Sequence, residues 1–390
     1  MDIEAAADFA RQTEGQLLAN MFTMASVMFH GVPRFRRQQW AFEQNERWFE
    51  ETLPYLRDKH FKQAFRVSPA TFRYLLESLQ SVERQDTNMR NAISLEKRVA
   101  VALYRLCSSA EDRTIAHQLA IGRSTVTAIF KDLCDAVILH LEQQWICMVR
   151  RNEMESHLRE FHAVTRFPQA IGALGGCHFP VSPPKLHATD YYNHKGWYSI
   201  ILLALVDHQY KFKYINVGSP GRCHDAHVYG RSRLRSLVDG DHFQSPVVTI
   251  EGTSIPPIIF CDQAFPLTSN LLKPFANAPK GTPQASFNYN LSKTRRIVEN
   301  AFGRVKARFR HVMKRMECNT TLGKRSIRTA CTLHNICETL RDTVEVQWEQ
   351  DAHALDMLYA QPSRGTDVCH GGGQAVRSAL ATYFWKRYQS

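Results

Sequence analysis

Three acidic residues stand where their surroundings could give them chemical work. Asp262 follows directly on the apolar run Ile258–Cys261, which reads as a strand. Its side chain therefore emerges at a strand's C-terminal end, where ligand sites gather in open α/β sheets. Glu299 is the one acid between Lys293 and Arg315, among nine Lys and Arg residues. Around it Val298, Phe302, Val305, Phe309 and Val312 recur at alternating four- and three-residue steps, the seam of a helix. Glu299 borders that seam, and Arg295, Lys306 and Arg310 fall within about 40° of its direction. One carboxylate at the edge of a core, surrounded by cations, suits a site for metal and phosphate. The same spacing also serves a solvated helix in which Arg295 and Glu299 pair four residues apart. The third acid, Asp225, closes Gly218-Ser-Pro-Gly-Arg-Cys-His-Asp225 at the start of a helical stretch. It could be a helix cap, a role worth about 1 kcal/mol.

The elements that would position these acids are short. Ala170–Leu174, Trp197–Val206, Lys211–Val217 and Pro257–Phe260 are apolar runs bounded by Gly, Pro or Asp-His, and read as strands. A helix over about Ala226–Val238 lies between the third and fourth, and a stronger one runs from Ser292 to about Met313. Three strands, a helix, a fourth strand and a helix predict a mixed α/β sheet with helices against it. Upstream, Ser68 and Pro69 open a helix that carries Phe72, Leu75 and Leu76. Residues 94–141 read as three helices: Ser94 to about Ser108, about Thr114–Ala120, and a third capped by Ser124 after a turn at Ile121–Arg123. Short helix, Gly-containing turn, longer helix is the helix-turn-helix order. It would leave Arg123, Ser124, Thr125, Thr127, Ala128 and Lys131 outside the core, residue types that contact phosphates or base edges. A helical hairpin that only packs has the same pattern.

The chain has 390 residues, with 49 Lys and Arg against 37 Asp and Glu, a formal charge of +12. At 44% hydrophobic residues it has apolar surface enough to fold. The excess charge points to a polyanionic partner, nucleic acid before an anionic membrane. The longest purely apolar run, Ile200–Val206, is far short of a bilayer span, so no membrane is expected. The acidic start Met-Asp-Ile-Glu-Ala lacks the order of a signal peptide, which predicts an intracellular chain. Ten cysteines without a Cys-x-x-Cys pair predict reduced thiols, not a disulfide framework. Cys331, His334 and Cys337 drift by about 300° around a helix and so do not converge on one ion.

Five segments in one order carry a resemblance. They are Gly172-Ala-Leu-Gly-Gly-Cys-His178, Tyr192-Asn-His-Lys-Gly-Trp197, Gly218–Asp225, Cys261-Asp-Gln-Ala-Phe-Pro-Leu267 and Val298–Arg310. The set resembles the PIF/Harbinger class of DNA transposases and the domesticated Harbinger transposase-derived nucleases. Leu333-His-Asn-Ile336, Arg377–Phe384 and the Val67–Leu76 helix start match as well, so the resemblance spans roughly residues 38–385.

The resemblance implies an RNase H-like mixed-sheet DDE nuclease domain, preceded by an all-α helix-turn-helix region. Such enzymes hold two divalent ions, Mg²⁺ or Mn²⁺, with three carboxylates and attack a DNA phosphate in line. Carried over, the second acid falls on Asp262 and the third on Glu299, with Asp225 a supporting or alternative acid. The first acid, in the pattern Gly-x-x-Asp-Gly-x-His, falls on Gly175. Glycine supplies no ligand, Cys177 is too soft for Mg²⁺, and His178 suits a transition metal better. The expectation is a DNA-binding chain with impaired phosphodiester cleavage; the alternative is an active endonuclease or transposase using Asp225, Asp262 and Glu299. The expected organisation is an N-terminal arm over 1–60, the helix-turn-helix region over 61–150, the nuclease domain over 165–345 and a tail over 346–390. DNA contacts are expected from Arg123, Ser124, Thr125, Thr127 and Lys131, and from Arg295, Lys306 and Arg310. The resemblance further implies a nuclear setting, with cytoplasm also open, and a separate Myb/SANT-like DNA-binding partner. It leaves a homo-oligomer open.

Overall fold

The computed structural model describes residues 48–86, 91–362, 365, 368–369 and 371–389. Most of the expected arm over 1–60 lies outside them. Residues Asn45–Ser390 form one compact unit, in which the helical region and the sheet share a core.

Helix α1 (Asp58–Phe65) leads into α2 (Pro69–Ser78), whose start is the expected one: Ser68 Oγ accepts from the Thr71 N–H and Pro69 takes the first turn. Helix α3 (Leu95–Cys107) is capped by Ser94 and buries Val99, Leu103 and Leu106. Helix α4 (Asp112–Gln118) and α5 (Arg123–Ala136) follow, joined by the turn 119–122. Two details differ from expectation. The residue capping α5 is Gly122, not Ser124, and Ala120 carries the left-handed backbone (φ 53°) that turns the chain. Helix α5 runs on through Val137–Leu141 to Trp145, and α6 (Met154–Thr165) leads to the sheet.

Strand β1 (Ala170–Pro180) is twice the expected length and passes through Gly175 and Gly176. It pairs antiparallel with β2 (Ser199–Val206), which pairs antiparallel with β3 (Phe212–Pro220). Every residue of β2 is buried because both faces of the sheet are covered, which is why its sequence is a continuous apolar run with no alternation. The expected helix after β3 is two, α7 (Asp225–Gly230) and α8 (Arg233–Val238), broken where Ser232 caps the second. A hairpin of β4 (Val248–Ile250) and β5 (Thr253–Ile255) precedes β6 (Ile258–Phe260), which pairs parallel with β1. The short β7 (Leu271–Leu272) completes the order β3-β2-β1-β6-β7. An antiparallel meander followed by parallel strands on its inner edge is the RNase H-like arrangement.

Helix α9 (Pro283–Arg308) starts nine residues before the expected Ser292, with Thr282 as cap, and breaks at Phe309 into α10 (Arg310–Met313). All five seam residues, Val298 to Val312, are buried. With α11 (Thr320–Thr339) it covers the sheet face that carries Ala173, Cys177, Leu202, Ala204 and Phe260. The opposite face, with Leu174, Leu203 and Ile259, is covered by α6, α7 and α8. The expected C-terminal tail holds α12 (Val346–Asp356) and α13 (Gly373–Gln389), both packed on α9. No helix among the described residues is long and apolar enough to cross a membrane.

Candidate nuclease site

Alternation along the strands decides which side chains can meet. On β6, Ile258 and Phe260 face α9 while Ile259 and Cys261 face the opposite layer. The next residue, Asp262, turns back toward α9, and its nearest cation is Arg295 of that helix, at 3.8 Å. On β1 the α9 face carries Ala173, then Gly175, then Cys177. Ala173 pairs with Phe260, so the parallel register carried on by two residues brings Gly175 level with Asp262. Positions 175, 262 and 299 therefore share one face of the sheet, under one helix.

What fills position 175 is the helix. A Cβ built on Gly175 would lie 3.1 Å from Val298 Cγ1 and 3.5 Å from Phe302 Cε2, one residue before and three after Glu299. Asp262 and Glu299 are drawn together by a guanidinium: Arg295 Nη2 donates to Glu299 Oε1 at 2.7 Å while Nη1 stands 3.8 Å from Asp262 Oδ2. The Ala264 N–H donates to Asp262 Oδ1 at 2.8 Å. Burial pushes the Asp262 carboxyl up, and the Ala264 N–H and Arg295 offset only part of that.

Asp225 comes from the other layer. His224 is the N-cap of α7 and Asp225 its first residue, so the carboxylate is not a cap. It lies against the backbone of β1 at Gly176, where a Cβ would overlap the Asp225 carboxylate. That close approach explains the second glycine of the Gly-Gly pair: no other residue leaves room for the carboxylate. Burial, with the charge of Asp262 added, pushes the Asp225 carboxyl up to about 7.

DDE superfamily endonucleases work with divalent metals, and the donor set here does not fit a metal pair. Among the described residues no three His, Cys, Asp or Glu side chains converge on a point that could hold an ion. Asp225 approaches β1 on the face opposite to that of Gly175, and the space between Asp262 and Glu299 already faces a cation.

The residues expected to meet DNA divide into two groups. Arg123, Ser124, Ala128 and Lys131 are exposed along one side of α5, and Thr125 and Thr127 are half-buried. Thr127 is engaged: its hydroxyl donates to Asp112 Oδ2 at 2.7 Å. On α9 and α10 the expectation needs correction. Lys306 is 3% exposed, with its ammonium 2.6 Å from Asp356 and over the ring of Phe179, so it is not presented to a phosphate. Its position beside the seam, read as solvated, is covered by the C-terminal part of the chain, which the spacing of α9 alone does not announce. Arg310 is half-buried and bonded to Asp351 at 2.8 Å, and Arg295 is held by Glu299. The ten cysteines are free. His334 Nε2–H donates to Tyr210 O at 2.8 Å, and burial pushes its imidazole down to about 3, so it is a neutral core residue.

Comparison with known proteins agrees with the mixed-sheet fold. The DDE superfamily endonuclease family matches residues 174–335, which run from β1 into α11. Protein ALP1-like of Arabidopsis thaliana is 28% identical over 327 residues, covering 78% of this chain and 77% of that protein. The Arabidopsis protein named Antagonist of Like Heterochromatin Protein 1 is 25% identical over 326 residues, covering 80% and 82%. No solved structure matches the chain. Residues 174–335 thus carry the pattern of a DDE superfamily endonuclease domain, and the chain is similar over most of its length to the two Arabidopsis proteins.

Proposed function

We propose that this chain is a transposase-derived DNA-binding protein that keeps the DDE fold and does not cleave phosphodiesters efficiently. One observation carries the reading: the position level with Asp262 on the α9 face is Gly175, and Val298 packs where its side chain would begin. A two-metal site needs a carboxylate bridging both ions at that point. The Arg295 bridge supports the same reading, because it lets Asp262 and Glu299 stand together without a metal. DNA binding rests on the +12 charge and on the exposed side of α5. One relative is named as an antagonist of a heterochromatin protein, which favours a nuclear, chromatin-associated role.

A second reading has its own observation. Asp225 lies against β1 and close enough to Asp262 to feel its charge, so Asp225, Asp262 and Glu299 could form an acidic set of another shape. Cleavage of duplex DNA in Mg²⁺ and in Mn²⁺ separates the two. Wild type is compared with Gly175→Asp/Val298→Ala, which restores a carboxylate and the space for it, and with Asp262→Ala/Glu299→Ala as the blank. Silence from wild type supports loss of cleavage, and activity gained by the restored variant assigns that loss to position 175. Wild-type cleavage that disappears in the blank and in Asp225→Asn would establish the second reading instead.

A further inference from the structure

A cleft of about 460 Å³ lies where the helical region meets the catalytic domain. One wall runs from the end of α3 through α4 to the first residue of α5, and the other is α10 with the segment after it. The lining holds six cations, Arg105, Arg113, Arg123, Arg310, Lys314 and Arg315, against the three carboxylates of Glu111, Asp112 and Glu317. Two of these cations are matched: Arg105 with Asp112 at 2.7 Å, and Arg310 with Asp351 at 2.8 Å. Arg113, Arg123 and Lys314 are exposed and have no ion-pair partner among the described residues, and Arg315 reaches only the hydroxyl of Ser182. With Glu111 and Glu317 in the same lining, the two walls still keep an excess of positive charge.

The floor gives the second sign. Arg105 is 8% exposed and lies over the ring of Phe130, yet its Nη1 is buried with no hydrogen-bond partner. His311, edge-on to the same ring, likewise keeps a buried Nε2 without a partner. Buried donors are paired as a rule, and an unpaired guanidinium nitrogen beneath a basic cleft is one that a bound anion would satisfy. The cleft also begins at Arg123, the residue from which the exposed side of α5 starts.

We infer that this cleft seats the phosphate backbone of a duplex whose bases lie along α5, so that one DNA molecule is held by the helical region and the catalytic domain together. The inference rests on the DNA-binding reading above and deepens it by placing phosphate contacts outside the helix pair.

The test is duplex binding by the full chain as a function of salt, beside the variant Arg113→Ala/Lys314→Ala, which takes one exposed cation from each wall. Removing a cation that neutralises one phosphate should flatten the slope of log K against log salt by about 0.9, so the double variant should flatten it by roughly two. Acylation of Lys314 by an amine reagent gives a reading that does not depend on a variant's folding: bound DNA should protect it. Wild type that binds DNA with the slope unchanged in the variant and Lys314 labelled equally would overturn the cleft and leave the DNA-binding reading standing. Wild type that binds no duplex even at low salt would overturn both.

Discussion

The Cβ position of Gly175 lies 3.1 Å from Val298 Cγ1, and Val298 immediately precedes Glu299 on α9. The residue next to Glu299 thus lies against the space a side chain at 175 would enter. At 3.1 Å the Val298 side chain would have to give by a few tenths of an ångström for any side chain at 175, so a carboxylate there needs a place as well as an attachment. Gly175 and Val298 therefore act as a pair.

Gly175→Asp alone should accordingly be destabilising. Overpacking against Val298 and burial of a carboxylate together cost about 1–3 kcal/mol, and Gly175→Asp/Val298→Ala should recover part of it. Urea unfolding of both variants measures the difference. A stability for Gly175→Asp equal to wild type would mean that the helix gives way freely and that only the missing oxygen matters.

Asp225 predicts a pH dependence of the opposite sense to most carboxylates. Its folded pKa, about 7, lies above the unfolded value near 3.8, so ionisation is resisted in the folded state. The stability tied to this group is fully present below about pH 4 and is lost as pH rises toward and through 7. Asp225→Asn should accordingly gain stability over wild type between about pH 4 and 8. The gain should be about 1–3 kcal/mol, less than the full shift at about 1.4 kcal/mol per unit, because solvent still reaches the half-buried carboxylate. Parallel melting curves at acid and alkaline pH decide it: a difference that does not change with pH would put the pKa back in the usual range.

Some of this is legible in the sequence, and the rest is hidden for identifiable reasons. The seam Val298–Val312, the Ser68 cap and the strand before Asp262 are local signals, and all three stand in the fold as they read. Strand β1 reads as half its length because Gly175 and Gly176 weaken the strand pattern, although both are there for close approaches made across the fold: one by Val298, the other by Asp225. That Gly175 and Asp262 stand level depends on strand register, which no local pattern encodes. The start of α9 escapes the periodicity because Pro283–Leu291 is mostly polar, and its strength comes from the Thr282 cap and the packing of Phe287 and Leu291. The burial of Lys306 depends on Asp356, fifty residues away, which no window on α9 contains.

Asp342 ties the helical region to α9 and should be among the most sensitive polar residues of the fold. It accepts from the Ser68 N–H at 2.5 Å and from Thr71 Oγ1 at 2.9 Å, and it pairs with Lys62 at 2.9 Å and with the fully buried Arg308 at 3.5 Å. Burial pushes its carboxyl up, but Arg308, Lys62 and the hydrogen bonds outweigh that and hold it below the ordinary value. Its contribution is present above the unfolded pKa near 3.8 and is lost as pH falls through the lower folded value. Asp342→Asn leaves Arg308 buried without its counter-charge and should cost roughly 3–5 kcal/mol. Chemical denaturation at neutral pH tests this, and a loss below about 1 kcal/mol would show that Arg308 is satisfied by the carbonyls of Arg66 and Asp342 alone.

Lys131 and Lys306 have the same charge and opposite surroundings, and the contrast predicts opposite behaviour. Lys131 is exposed on α5, so Lys131→Ala should leave stability within about 0.5 kcal/mol of wild type. If α5 meets DNA, it should flatten the salt slope of duplex binding by about 0.9. Lys306 is buried on Asp356, so Lys306→Met should lower stability by about 1–3 kcal/mol, moderated because Asp356 is one-third exposed, and leave the salt slope as it was. Measured together, the two variants separate charge that reads a polyanion from charge that holds the C-terminal helices to α9. A salt slope that responds to Lys306→Met and not to Lys131→Ala would reverse the assignment and move the DNA contact from the helical region to α9.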